Sequence, residues 1–116
     1  MASRLVRLGR GAEAAADCRR AAETWERLGR SDPESLYTAA RFRAVTAAAL
    51  RAADQSPAGA RPAEAEADRA LAWLERAVAA GYRDAANMAT DHDLDALRHR
   101  ADFKELLARL SEAPPK

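Results

Sequence analysis

Isoleucine is absent from this 116-residue chain and valine occurs only three times. β-branched residues are what a pleated sheet packs best, so their scarcity argues against a sheet. There is one cysteine, Cys18, which excludes an intramolecular disulfide. Lysine is nearly missing too: Lys104 and Lys116 are the only two, and arginine supplies the rest of the 19 basic residues. Against 18 acidic residues these leave a net charge of +1. Such a balance creates no field to draw in nucleic acid or an anionic membrane surface. No apolar run approaches the ~18 residues of a membrane span. The opening MASRLVRLGRG lacks the apolar centre of a signal peptide. The expectation is a cytoplasmic protein with no nucleic-acid and no membrane partner.

What the chain has instead is alanine. Hydrophobic residues make up 48% of the sequence, and more than half of them are alanine. A core built this way is thin. It suits helices that approach closely through small side chains, and alanine is also the strongest helix former. The fold class expected is all-α.

Residues 2–8 form a short apolar segment with Leu5 and Leu8 three apart, ending at GRG (9–11). Two glycines in three residues cost about 1 kcal/mol each inside a helix, so a turn is expected there. From Ala12 to about Arg30, Ala14, Cys18, Ala21, Trp25 and Leu28 recur at steps of four and three, the spacing of one apolar helical stripe. Next comes GRSDPES, which closes that helix and opens another. Asp32 before Pro33 is an N-cap followed by proline in the first turn. The helix from Pro33 to about Ala53 carries Leu36, Ala40, Ala44, Ala47 and Leu50 at burial spacing. DQSPAGARP (54–62) has the composition of a loop. A third long helix, 62–80, follows with Ala67, Ala70, Leu71, Leu74, Ala77 and Val78, and Gly81 stands where a C-terminal cap belongs. Short helices are expected near 84–89 and 93–97, and a last one near 101–111 with Phe103, Leu106, Leu107 and Leu110 on one side.

Two of the long helices repeat one small–large–small pattern, Ala14-x3-Cys18-x2-Ala21 and Ala70-x3-Leu74-x2-Ala77. Together with the Gly-led GRGAEAAADCRRA this resembles the second helix of a tetratricopeptide repeat. An alternative register through Leu5, Leu8, Gly9, Ala21, Trp25 and Pro33 puts Gly9 and Gly11 inside a helix and is rejected on that cost. The spacing from Ala14 to Ala70 exceeds the usual repeat of about 34 residues. The resemblance implies an antiparallel helical array of tetratricopeptide type, an α–α superhelix with short C-terminal capping helices. Its single domain spans 1–111: a partial first repeat (1–30), a complete helix pair (33–80), capping helices (84–111), then a tail (112–116).

A narrower resemblance covers nearly the whole chain. GAEAAADCRRAAETWERL, DPESLYTAARFRA, ALAWLERAVAAGYRDA and TDHDLDALRHRADFKELL, in this order, are similar to the C-terminal repeat region of planctomycete-type bacterial serine/threonine protein kinases. The last block of that family resembles D-P-D-L-x-P-L-R-x-x-P-x-F; here His92, Ala96 and Ala101 stand where prolines are usual. A Gly-rich phosphate loop, H-R-D and D-F-G are all missing, so the resemblance implies a domain family and no kinase activity for this chain.

One stretch invites a chemical reading. TDHDLDALRHR (90–100) places Asp91, Asp93 and Asp95 at alternate positions beside His92 and His99. An EF-hand loop begins with that spacing, but it needs glycine at its sixth place and glutamate at its twelfth; Ala96 and Asp102 stand there. The histidines are seven apart, which is not a zinc pair. The more economical reading is helix-start chemistry. Thr90 or Asp91 caps a short helix, Asp93 closes a capping box, and Leu94 and Leu97 anchor it. Cys18, on the apolar stripe, reads as a buried structural thiol.

If the helix at 33–53 lines a concave groove, as the first helix of each tetratricopeptide pair does, Tyr37, Arg41 and Ala44 face a protein or peptide partner. The expected function is therefore a non-catalytic interaction or scaffold module without cofactor or metal, either the repeat region of a signalling kinase or a stand-alone relative. A purely structural cap of a longer array is the alternative, and a metal-assisted hydrolase built on residues 91–99 the remote one. Leu5 and Leu8 leave an N-terminal edge suited to self-association.

Overall fold

The computed structural model describes the backbone of residues 2–112 and the side chains of residues 13–111. Every regular element among them is helical: α1 (Ala2–Arg27), α2 (Pro33–Ala53), α3 (Pro57–Ala80), α4 (Ala85–Thr90), a 3-10 helix (His92–Leu97) and α5 (Ala101–Glu112). The class is all-α, as the composition implies. No helix among the described residues is long and apolar enough to cross a membrane.

The centre is the α2–α3 pair, and its sequence explains its ends. Asp32 caps α2 by accepting from the Ser35 amide at 3.0 Å, and Pro33 occupies the first turn, where a missing N–H costs nothing. Those bonds to Ser35 hold the Asp32 carboxyl below its ordinary range. Gly81 ends α3 with φ 124°; its amide reaches Val78 O at 3.1 Å and the Tyr82 amide reaches Ala77 O at 2.9 Å. This Schellman pattern satisfies the last carbonyls and favours a residue without Cβ. Between the helices, Ala40, Ala44, Ala47, Ala67, Ala70 and Ala77 are buried and allow close approach. Leu36, Leu71 and Leu74 fill what the alanines leave.

The C-terminal elements close this core. Met88, Leu94 and Leu97 have no exposed surface, and Phe103, Leu106 and Leu110 are buried beside them. Each large side chain withdrawn from water contributes about 1.5–3 kcal/mol. Met88 comes from α4, the two leucines from the 3-10 helix and the remainder from α5, so three short elements act as one apolar lid.

Three local expectations are corrected. First, α1 runs unbroken through residues 9–11, where a turn was expected. Two glycine penalties of about 1 kcal/mol fall short of stopping a helix already propagating through alanine-rich sequence on the C-terminal side. The cost used to reject the alternative repeat register therefore does not exclude it, although both registers need a break that α1 lacks. Second, the loop expected at 54–62 shrinks to Asp54–Ser56, and α3 begins at Pro57 with Pro62 inside it. Gly59 makes the tight entry possible: a Cβ there would lie 2.0 Å from the Asp54 carbonyl oxygen. Third, the docked face of α1 is rotated by one residue. Ala15 and Ala22 are buried, Cys18 and Trp25 are half-buried, and Ala14 and Leu28 are exposed, Leu28 at 59%. Leu5 and Leu8 lie outside the residues whose side chains are described.

Candidate interaction surface

The groove residues expected on α2 are Tyr37, Arg41 and Ala44, one helical stripe at steps of four and three. The structure brings the three together, and the chain's own segment 91–97 lies over them. Ala44 is completely buried and Tyr37 nearly so. The Tyr37 phenol donates to Asp91 Oδ2 at 2.7 Å. It also stacks on Tyr82, with ring centroids 4.4 Å apart and planes 5° from parallel. Asn87 of α4 ties the two phenols together, donating to Tyr82 Oη at 2.9 Å and to Tyr37 Oη at 3.3 Å. Burial and the adjacent Asp91 carboxylate push the Tyr37 phenol far above its ordinary range, so it stays a donor.

Arg41, one turn further along, meets Asp93. Its Nε and Nη2 donate to Asp93 Oδ2 at 3.0 and 2.6 Å, and Nε lies 3.5 Å from Asp91 Oδ2. The bond to Asp93 raises the guanidinium pKa, with burial working against it. An expected groove lining is thus a receptor for two aspartates of the same chain. Leu94 and Leu97, which follow those aspartates in sequence, are locked into the core and hold the segment in place.

Each aspartate of TDHDLDALRHR has a protein partner. Asp91 caps the 3-10 helix by accepting from the Asp93 amide at 3.0 Å. Asp93, expected to close a capping box, turns to Arg41 instead, because a charged bidentate donor outweighs a single amide. Asp95 accepts from Arg98 Nε at 2.8 Å, which lowers its pKa. Arg98 also donates to the carbonyls of Ala89 and Asp91, fixing the junction between α4 and the 3-10 helix. Arg100 reaches Asp68 of α3 at 2.6 Å and Asp102 at 3.0 Å. His92 is exposed, and His99 stands at the rim of a cleft. Among the described residues, no group of three or more histidine, cysteine or acidic side chains is placed to hold a metal ion. Cys18, read as a buried thiol, is half-buried; that burial and the nearby Asp17 carboxylate raise its pKa and suppress the reactive thiolate.

Past Ala44 the α2 stripe continues through Ala48 and Arg51, with Ala52 beside it and Gln55 in the short loop that follows. There it borders an open cleft of about 740 Å³ shared with the start of α3 and with Asp95, Ala96 and His99. At the opposite end of α2, Tyr37, Thr38 and Arg41 border a second cleft, of about 630 Å³, with Arg83, Asp84 and Asn87. The sequence had pointed to the stripe but not to Tyr82 or Asn87. Tyr82 lies in the block ALAWLERAVAAGYRDA with nothing to single it out, Asn87 lies in no recognisable pattern, and their roles arise only when the turn after α3 and the start of α4 come beside Tyr37.

No family model, curated protein or solved structure matches this chain.

Proposed function

We propose that the chain is a non-catalytic protein-interaction module of tetratricopeptide type, belonging to the repeat region of a signalling serine/threonine kinase or to a stand-alone relative. In this reading α2 and α3 are the complete helix pair and residues 84–111 are its built-in cap. The observation that carries it is the behaviour of the α2 stripe. Its first half, Tyr37–Arg41–Ala44, already holds an acidic segment through two carboxylates, and its second half opens into the alanine-floored cleft. Small floor residues leave room for another chain's side chains, and Arg51 and Gln55 supply polar contacts at the edge. A cytoplasmic location accompanies this proposal.

The test leaves the cap untouched. Ala48→Arg combined with Ala52→Arg changes only exposed residues that line the cleft and should preserve helicity and melting temperature. Affinity capture from the source cell should then lose a partner that the parent chain retains. Recovery of the same partners by both chains would refute the reading.

A second reading, a purely structural terminal cap, is favoured by the amount of apolar surface that Leu94, Leu97, Phe103, Leu106 and Leu110 cover on the helix pair. On this reading, opening the lid with Phe103→Asp makes the chain self-associate, and size-exclusion chromatography with light scattering reads the change.

A further inference from the structure

α1 docks differently from the other helices. None of its described residues belongs to the hydrophobic core cluster, which draws on α2, α3, α4, the 3-10 helix and α5. Its fully buried apolar side chains among the described residues are two alanines, Ala15 and Ala22. Along residues 13–27 the half-buried Cys18, Ala21 and Trp25 are the remaining apolar contacts, and charged groups make the buried polar ones. Arg43 of α2 and Glu66 of α3 are each only 3% exposed. Arg43 Nη1 donates to both Glu66 oxygens at 2.8 and 2.9 Å. α1 adds one residue of each sign to this pair. Glu26 accepts from Arg43 Nε and Nη2 at 2.8 Å each, and Arg19 Nε donates to Glu66 at 3.2 Å. Arg19 and Glu26 are seven apart, two turns along one face, with Ala22 between them.

The arithmetic of this cluster matters. Removing one partner from a buried ion pair is costly because it strands a charge. Departure of α1 strands none: it withdraws one positive and one negative group together, and Arg43 and Glu66 keep each other. On the α1 side, Arg19 and Glu26 are partly exposed already and regain water. A non-helical connection separates α1 from α2. Residues 28–32 are non-helical, with Gly29 at φ 64°.

We propose that α1 is a charge-latched helix, which leaves and re-engages the α2–α3 pair as a unit while α2 through α5 stay folded. The latch is the Glu26–Arg43 and Arg19–Glu66 contacts. Its release uncovers the face of α2 that α1 covers, with the Arg43–Glu66 pair on it.

The two tryptophans report the two parts separately. Trp25 is on α1, and Trp73 is on α3, packed against the core. In the full chain, Trp73→Phe leaves Trp25 as sole reporter and Trp25→Phe leaves Trp73. Urea titrations followed by tryptophan emission should give a lower midpoint for Trp25 than for Trp73. Adding Glu26→Gln should lower the Trp25 midpoint further and leave the Trp73 midpoint in place. Amides of residues 13–27 should then exchange with solvent about tenfold faster in the variant, the size expected for losing one charge-assisted contact. Coincident midpoints would overturn the proposal, as would a Glu26→Gln effect that is absent or shared equally by both reporters.

Discussion

Tyr37 and Asp91, 54 positions apart in the chain, are joined by a 2.7 Å phenol-to-carboxylate hydrogen bond. The bond connects the first turns of α2 to the residue that starts the 3-10 helix. With it, an acidic stretch that resembles the opening of a metal loop becomes the strap that fastens the C-terminal elements to the helix pair.

The leucines of that strap should matter more than its histidines. Leu94→Ala or Leu97→Ala empties a fully buried site and should cost about 2–5 kcal/mol. His92→Ala, at an exposed site, should stay within about 0.5 kcal/mol. Urea denaturation of the three variants, with midpoints compared at a common slope, checks the order. Equal losses would contradict the assignment of the leucines as anchors.

Gly59 makes a sharper local prediction. Alanine is normally the better helix residue by about 1 kcal/mol, so Gly59→Ala would stabilise an ordinary helix. Here the added carbon meets the Asp54 carbonyl oxygen at 2.0 Å. The substitution should lower the melting temperature, because backbone has to move before the methyl group fits.

Stability should fall with acid, and Asp102 should be part of the reason. Its hydrogen bond to Arg100 holds the folded carboxyl below its ordinary value of 3.8. The unfolded chain therefore takes up this proton first as pH drops. The contribution is fully present well above 3.8, and it is lost as pH falls through that value toward the lower folded one. Melting temperatures measured between pH 6 and pH 2 should fall less steeply in Asp102→Asn than in the parent chain.

Local chemistry made much of the fold readable. The proline-led start of α2, the glycine end of α3, the buried stripe of α3 and the leucine spacing of α5 all follow from nearest neighbours along the chain. The docked face of α1 is not fixed by period. Ala14–Cys18–Ala21–Trp25 and Ala15–Arg19–Ala22–Glu26 have the same spacing and differ by one residue, a rotation of about 100°. Hydrophobicity favours the first, because it carries Cys18 and Trp25 where the second carries Arg19 and Glu26, and the structure docks the second all the same. The buried Arg43–Glu66 pair chooses, and it is assembled only when α2 meets α3. The same holds at the candidate surface. Tyr37 and Arg41 stood out by residue type and helical position, but their partners Asp91 and Asp93 lie more than fifty residues away and carry no signal of the pairing.

The most direct test of the central claim, that residues 91–97 are strapped onto α2 through Tyr37, is a double-mutant cycle. Tyr37→Phe, Asp91→Ala and the pair together are compared by urea denaturation. Asp91→Ala alone also removes a helix cap worth about 1 kcal/mol, and the cycle subtracts that contribution. The pair should cost less than the sum of the single changes, with a coupling of about 1 kcal/mol or more for a bond to a charged group. Strict additivity of the two substitutions would contradict it.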